Sequence, residues 1–280
     1  MEIQLFNLWE NTPGKCEEVP TITYYQPESK TTDCAVVIFP GGGYGHRAPH
    51  EGEGYATFLA QNGISSFVVD YRVYPHTFPL PLLDARRGVR YVRHNAQKFG
   101  IDKNKVYVMG SSAGGHLASF VSTYFEPIEF EGADEIDNED FIPNGQILCY
   151  PVINLCDYNI AHIGSGDNLI GDKYLPNLIG DMYLPYNPEM YLSRKKFSSD
   201  CNVSSKTPKA FIWHTFADEG VDVRNSLSYA KSLREYGVPV EMHLFPDGRH
   251  GLGLTNKADK IEQHISQWGE LLIKWLKYVD

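Results

Sequence analysis

The chain has 280 residues, of which 42% are hydrophobic and 21% are charged, and its formal net charge is −10. These values are typical of a folded globular protein and argue against a disordered chain. The length suits one α/β domain with its own core. The sequence contains no basic patch, which argues against a nucleic-acid partner.

The five cysteines are scattered along the chain and form no Cys-x-x-Cys pair. This pattern favours reduced thiols and argues against a zinc site. We expect no signal peptide and no membrane contact, because the first residues lack a basic segment and no apolar stretch approaches about 18 residues. The sequence therefore predicts a cytoplasmic protein.

Most of the net charge comes from one segment. Residues 126–140 contain eight Asp and Glu side chains and no base, so they contribute −8 of the net −10. We interpret this segment as a solvated surface excursion. The alternative of a calcium loop is weaker, because the Asp-x-Asp-x-Asp-Gly order is absent.

Strand and helix patterns alternate along the chain. Strands are predicted at 3–8, 21–26, 34–39, 66–70, 105–109, 146–153, 210–214 and 238–245. Helices are predicted at 51–61, at 81–99, from 112 onward, at 223–236 and from 261 to about 278. Leu227 and Ile261 are predicted to face the core from the last two of these helices. This alternation predicts a mostly parallel sheet with right-handed crossovers.

The irregular segment 155–205 is rich in Tyr, Asn, Asp, Gly and Pro, and its periodicity is weak. Long irregular segments in compact domains usually cover or line a site. We therefore predict one domain spanning 1–280, with a cap insertion at about 155–205.

A Gly-x-Ser-x-Gly pattern, Gly110 to Gly114, stands between a predicted strand and a predicted helix. A turn this sharp brings the residues two before and two after the serine together, and only glycine fits there. Ser112 would then stand exposed above the sheet as a nucleophile. The N–H of Ala113 would point at the oxygen of a substrate carbonyl.

Two further residues follow predicted strands and complete a catalytic set. Asp218 follows the strand at 210–214, and His250 follows the strand at 238–245. Functional groups of open α/β sheets gather at the carboxyl ends of strands, and the order Ser, Asp, His is that of α/β-hydrolases. His250 is predicted to be the base and Asp218 its orienting acid, with Glu219 and Asp222 as rival acids.

The run Gly41-Gly42-Gly43 follows another predicted strand. A tetrahedral intermediate needs two N–H groups aimed at one oxygen, and glycine lets the backbone approach closely. We expect the donors to be Ala113 together with one or both of Gly42 and Gly43. A nucleotide-binding loop from Gly43 to Ala48 is the competing interpretation, but it leaves the Ser, Asp and His residues unexplained.

Several motifs occur in order along the chain: Phe-Pro-Gly-Gly-Gly-Tyr at 39–44, Val-Asp-Tyr-Arg at 69–72, Gly-Ser-Ser-Ala-Gly-Gly-His-Leu-Ala-Ser at 110–119, His-Thr-Phe-Ala-Asp-Glu at 214–219 and His-Gly-Leu-Gly at 250–253. Together they resemble the carboxylesterase branch that holds acetyl esterases, acetyl xylan esterases and feruloyl-type esterases, which is related to the hormone-sensitive-lipase group. Pro40 and Thr215 depart from the commoner residues of these groups.

The resemblance implies an α/β-hydrolase fold with helices on both faces of the sheet. It also implies a serine carboxylesterase that acts on short acyl groups, with acetyl on a sugar as the expected small-molecule substrate. No metal or cofactor is expected. An amidase or peptidase on the same fold, arylformamidases included, remains an alternative, as does a non-catalytic binding protein. The sequence leaves open whether the protein is a homodimer.

Other conspicuous residues receive structural interpretations. We expect His116 to bond internally, Asp84 to pair with Arg86 or Arg87, and the Asp70-Tyr71-Arg72 run to brace the glycine loop. Six further side chains could line a sugar or aryl pocket or, for the tyrosines of the insertion, form a small core of their own: Tyr44, His46, Tyr174, Tyr183, Tyr186 and Tyr191.

Overall fold

The computed structural model describes residues 1–14, 17–171, 188–255 and 257–279. Its strands are β1 Glu2–Asn7, β2 Thr21–Gln26, β3 Ala35–Phe39, β4 Ser65–Asp70, β5 Val106–Ser111, β6 Gly145–Cys149, β7 Ala210–Thr215 and β8 Val240–Phe245. They form one sheet in the order β1-β2-β4-β3-β5-β6-β7-β8. The pairs β1–β2 and β2–β4 are antiparallel, and the remaining pairs are parallel.

The helices are α1 Pro49–Gln61, α2 Leu80–His94, α3 Ala96–Phe99, α4 Ser112–Val121, α5 Ile163–Ile170, α6 Pro188–Lys195, α7 Arg224–Glu235, α8 Lys260–Ile265 and α9 Gln267–Val279. Side chains of β3 alternate between two separate cores, with Val37 on one face and Val36 on the other. Helices α2, α4 and α7 cover the first face, and α1 and α9 cover the second. This arrangement confirms the predicted α/β-hydrolase fold.

Some element boundaries differ from the sequence prediction. The strand predicted at 146–153 ends at Cys149, because Tyr150 adopts a positive φ of 36° and turns the chain. The helix predicted at 81–99 is two helices, and so is the final one. Within the described residues, no helix is both long enough and apolar enough to cross a membrane.

Two side chains predicted to face inward are exposed. Leu227 is 37% exposed, because α7 turns Ser226, Tyr229 and Leu233 toward the sheet instead. Ile261 is 46% exposed, because it lies in the separate short helix α8, whose buried residue is Ile265.

The acidic segment 126–140 lies at the surface with most of its acids exposed, as predicted, but it is also attached to α2. Buried Arg87 of α2 pairs with Asp134 at 2.5 Å and with Asp137 at 2.8 Å. Neighbouring arginines of the same helix bind backbone carbonyls of the segment, as Arg86 does at Glu126. The composition of the segment could not show this attachment, because the arginines belong to a helix about 40 residues earlier.

The predicted partner of Asp84 is also wrong. Asp84 is fully buried and accepts hydrogen bonds from the guanidinium of Arg72 at 2.7 and 2.8 Å. Although Arg87 lies one turn further along α2, its side chain extends to the acidic segment instead.

Candidate active site

The turn from β5 into α4 places Ser112 at its tip. Ser112 has a φ of 52°, which is a strained backbone conformation for a residue with a side chain. A Cβ on Gly110 would collide with the carbonyl oxygen of Gly114, and a Cβ on Gly114 would collide with that of Phe39. Only glycine therefore permits this crossing, which is the geometry of a nucleophile elbow.

The structure brings the three residues predicted for catalysis into one hydrogen-bonded series. The Oγ of Ser112 lies 2.8 Å from Nε2 of His250, and Nδ1 of His250 lies 2.7 Å from Oδ2 of Asp218. A carboxylate only accepts hydrogen bonds, so Nδ1 carries the proton and Nε2 is free to accept one from the Ser112 hydroxyl. This is the arrangement in which imidazole acts as a base.

Asp218 is held as an ionised carboxylate. Its Oδ1 accepts the N–H groups of Gly220 at 2.8 Å and Val221 at 2.9 Å. Burial acts to raise the pKa of Asp218, but hydrogen bonds from His214, His250 and the backbone hold that pKa well below its usual range. The two alternative partners for His250 have other surroundings. Glu219 is exposed, and Asp222 pairs with Arg224 at 2.5 Å.

His214 is a contact that sequence reasoning missed. It is fully buried at the end of β7, and its Nε2 lies 3.1 Å from Oδ2 of Asp218 and 3.0 Å from the carbonyl oxygen of Val221. Both neighbours are acceptors, so Nε2 must be protonated, and Nδ1 accepts from Ser226 at 2.8 Å. The available signal was a histidine four residues before the acid, at the carboxyl end of the same strand.

The carbonyl groups of Gly41 and Gly42 in the glycine loop accept hydrogen bonds from backbone N–H groups further along the loop. The oxygen of Gly41 accepts the N–H of Ala48 at 2.9 Å, and the oxygen of Gly42 accepts that of Gly45 at 3.0 Å. Because each peptide is planar and trans, the N–H groups of Gly42 and Gly43 point in the opposite direction. Within the described residues, neither N–H donates to a protein acceptor.

The Ala113 N–H lies in the first turn of α4, where backbone donors have no acceptor within the helix. The three predicted oxyanion donors are therefore available on the geometry. The competing nucleotide-binding interpretation is disfavoured, because the carboxylate of Glu51 already receives the N–H of Gly41 at 2.9 Å. That carboxylate would repel a phosphate at the start of α1.

Helix α5, which begins the predicted insertion, packs over the glycine loop. The side-chain amide of Asn168 donates to the carbonyl of Gly43 at 2.8 Å. The N–H of Ser165 donates to Nδ1 of His162 at 3.2 Å. Burial lowers the pKa of His162, and the charge of nearby His250 lowers it further. Helix α5 therefore contacts the glycine loop directly, through Asn168.

The expected internal role of His116 is confirmed. It is fully buried between the hydroxyl of Tyr44 at 2.8 Å and the carbonyl of Phe197 at 2.7 Å. Tyr44 is consequently buried rather than lining a pocket, so that prediction is wrong. His46 is exposed and borders a cavity of about 630 Å³ behind the loop. Tyr174, Tyr183, Tyr186 and the side chain of Tyr191 lie outside the described residues.

The predicted brace of the glycine loop is confirmed for Tyr71, whose hydroxyl donates to the carbonyl of Pro40 at 2.6 Å. Arg72 instead holds Asp84, as described above. Within the described part of the chain, no group of His, Cys, Asp and Glu is arranged to hold a metal ion.

A protein-family model described as BD-FAE matches residues 22–233 of the chain. Endo-1,4-beta-xylanase B of Butyrivibrio fibrisolvens is 34% identical over 271 residues, which are 94% of this chain and 39% of that protein. The acetylxylan esterase of Xylanibacter ruminicola is 33% identical over 243 residues, which are 84% of this chain and 45% of that protein. The chain thus spans less than half the length of these two relatives.

Among solved structures, the acetyl ester-xyloside bifunctional hydrolase of Caldicellulosiruptor lactoaceticus matches with a TM-score of 0.83 and 40% sequence identity. The match covers 99% of this chain and 96% of that one. Similarity of this extent concerns the whole fold.

Proposed function

The chain belongs to the BD-FAE family, and from this premise we propose that it is a serine carboxylesterase that hydrolyses short-chain acyl esters. The main support is the hydrogen-bonded series from Ser112 through His250 to Asp218, with spacings of 2.8 and 2.7 Å. An activated nucleophile needs three components. These are a buried, ionised acid, an imidazole protonated on the nitrogen that faces this acid, and a serine held in a strained turn.

In the proposed reaction, Oγ of Ser112 attacks the ester carbonyl while Nε2 of His250 takes its proton. The resulting oxyanion accepts hydrogen bonds from the N–H groups of Ala113, Gly42 and Gly43. His250 then gives the proton to the departing alcohol, which leaves an acyl group on Ser112. Water, deprotonated by His250, attacks this acyl-enzyme and releases the acid. Asp218 stays ionised throughout and stabilises the imidazolium.

The proposed substrate class is acetyl groups on a carbohydrate. This part of the proposal comes from the similarity to an acetylxylan esterase and to an acetyl ester-xyloside hydrolase. We further propose that residues 155–205 act as a cap insertion within a single α/β domain. The hydrogen bond from Asn168 to the carbonyl of Gly43 supports that role, because it joins a residue of the insertion to the loop that carries the proposed oxyanion donors.

The test is hydrolysis of 4-nitrophenyl esters from acetyl to octanoyl, followed by acetylated xylose, with wild type beside Ser112→Ala. We expect activity that is highest on acetyl and is lost in the variant, since removing the nucleophile leaves only residual catalysis. Equal activity in both proteins would show that Ser112 is not the nucleophile. Activity confined to the matching acetanilide would favour the amidase alternative.

A further inference from the structure

Glu51 is a buried carboxylate that the proposed reaction does not use. It lies in the first turn of α1 and is 3% exposed. Its Oε2 accepts the N–H of Gly41 at 2.9 Å, and its Oε1 accepts the hydroxyl of Tyr150 at 2.7 Å. A buried charge is costly unless it is paired or well hydrogen-bonded, so a carboxylate retained here requires an explanation.

Tyr150 extends this network to the loop that carries His250. Its hydroxyl accepts the N–H of Gly253 at 2.8 Å, three residues beyond His250. Its ring and the His250 imidazole pack in a T-shaped arrangement, with the ring centroids 5.1 Å apart and the planes at 71°. Tyr150 therefore contacts both the catalytic base and the backbone that positions it.

The same network reaches the turn that carries the nucleophile. The hydroxyl of Tyr55 lies 3.2 Å from that of Tyr150 and 2.8 Å from Oγ of Ser111, the residue before Ser112. Beside Glu51, Nε2 of His50 donates to the carbonyl of Gly251 at 3.0 Å. The start of α1 thus contacts the glycine loop and the histidine loop, and Tyr55 of the same helix contacts the nucleophile turn.

We propose that Glu51 is the positioning residue that sets the oxyanion donors relative to His250. Because Glu51 takes the N–H of Gly41, the following peptides keep the N–H groups of Gly42 and Gly43 directed toward Ser112. Through Tyr150, the same carboxylate fixes the distance between these donors and the base. This inference rests on the proposed function, since it assigns Glu51 a role through the oxyanion hole.

The variants are Glu51→Leu, which removes both contacts of the carboxylate, and Glu51→Gln, which keeps an oxygen for Gly41. Tyr150→Phe removes the hydroxyl that links Glu51 to Gly253 and contacts Tyr55, and it leaves the contact of Glu51 with Gly41 in place. Glu53→Gln is the matched control, because Glu53 is an exposed acid on the same helix. A fluorophosphonate that labels Ser112 counts the intact sites in each preparation. The dissociation constant of phenylboronic acid, measured by calorimetry, reports the oxyanion hole without turnover, because its tetrahedral adduct places an oxygen there.

We expect kcat per intact site on 4-nitrophenyl acetate to fall about 10- to 100-fold in Glu51→Leu. This decrease does not exceed the decrease in kcat that removal of one oxyanion donor causes. The boronate should bind more weakly by a similar factor, with KM little changed. Glu51→Gln should keep most of the activity, Tyr150→Phe should be intermediate, and Glu53→Gln should match wild type.

If Glu51→Leu lowers only the fraction of labelled sites or the melting temperature, while kcat per site and boronate affinity stay at wild-type values, the inference is overturned. Failure of the proposed function looks different: wild type would hydrolyse no ester, or Ser112→Ala would hydrolyse as much. Where wild type binds the boronate but hydrolyses no ester, boronate affinity still tests the role of Glu51, because the adduct forms on Ser112 without turnover. Where Ser112→Ala hydrolyses as much as wild type, the inference fails together with the proposed function.

Discussion

The carboxylate of Asp218 receives four N–H groups, one from each of His250, His214, Gly220 and Val221. An ionised carboxylate offers about four lone-pair sites, so this one is saturated. The charge on Asp218 is therefore shared between two imidazoles rather than directed at His250 alone. We therefore expect His214 to affect two properties of Asp218: how firmly its side chain is positioned, and how strongly its charge stabilises the protonated form of His250.

His214→Phe should lower kcat/KM on 4-nitrophenyl acetate about tenfold, because a hydrogen bond to a charged group contributes about 1.5–3 kcal/mol. The acid limb of the pH profile should move to higher pH, since the less shared carboxylate favours the protonated form of His250. Ser226→Ala, which removes the partner of Nδ1, should shift the profile in the same direction by less. An unchanged profile together with a lower melting temperature would assign His214 a purely structural role.

Ser112, Asp218 and His250 could be predicted because their spacing in local motifs and their place after strands carry the signal. Glu51 could not, because an acid in the first turn of a helix is common and favourable wherever it points. Its importance depends on Tyr150, which lies 99 residues away in the sequence. The partner of Asp84 could not be predicted for the same reason, since helical spacing does not show that this carboxylate is buried against Arg72.

At the scale of elements, the acidic segment and α2 depend on each other. Arg87 is 1% exposed, binds two carboxylates and stacks over the ring of Trp9 at 4.6 Å. Arg93 donates to the carbonyls of Asp140 and Ile142, each at 2.7 Å. The segment is thus attached along the helix by side chain and backbone together, and part of the acidity of the chain is neutralised locally.

Arg87→Met should reduce the free energy of unfolding by about 2 kcal/mol, less than for a fully buried pair because the side chain of Asp134 keeps 24% of its exposure. It should also speed cleavage of residues 126–140 by a Glu-specific protease under native conditions, because the segment loses its attachment. Arg234→Met is the control, since Arg234 is an exposed arginine of α7 and its replacement should change neither measurement. Wild-type cleavage rates in Arg87→Met would contradict the interpretation.

Element types could be predicted more reliably than element ends. Apolar periodicity located each strand of the sheet, but it could not show where a run stops when the next residues are also apolar. The strand before Tyr150 ends for a conformational reason, a positive φ that has no apolar signature. The helices likewise break within continuous helical patterns, at Asn95 with a ψ of 15° and at Ser266 with a ψ of −16°.

At the scale of the whole molecule, buried titratable groups make stability depend on pH. Burial lowers the pKa of His116 to about 4, whereas the unfolded chain should titrate near 6.5. Between these values the unfolded state binds the extra proton, so stability is fully present above about pH 6.5 and is lost as the pH falls toward 4. The difference corresponds to about 3 kcal/mol.

We therefore expect the free energy of unfolding in urea to fall between pH 6.5 and 4, and to fall less steeply in His116→Gln. Replacing the exposed His264 with Gln should leave the wild-type slope. Carboxylates such as Asp218 add a further loss at lower pH in all three proteins, because their pKa is depressed in the folded state. Parallel slopes in wild type and His116→Gln would refute the assignment.

The α/β fold class with a mostly parallel sheet could be predicted from the sequence, because alternating strands and helices leave few ways to build such a sheet. The placement of two antiparallel strands at one edge, next to β4, needed the structure. It depends on pairing between residues about 45 positions apart, such as Ile22 with Val69, and sequence patterns carry little information on such pairing.

The contacts of Glu51 and Tyr150 also bear on how the chain acquires activity during folding. Ser112 meets His250 across 138 positions of sequence, and Tyr150 meets Gly253 across 103. Loops this long close late, after local helices and neighbouring strands have formed. Competence for the reaction should therefore appear only when the final strand has joined the sheet, so recovery of enzyme activity on refolding should lag behind recovery of helical structure.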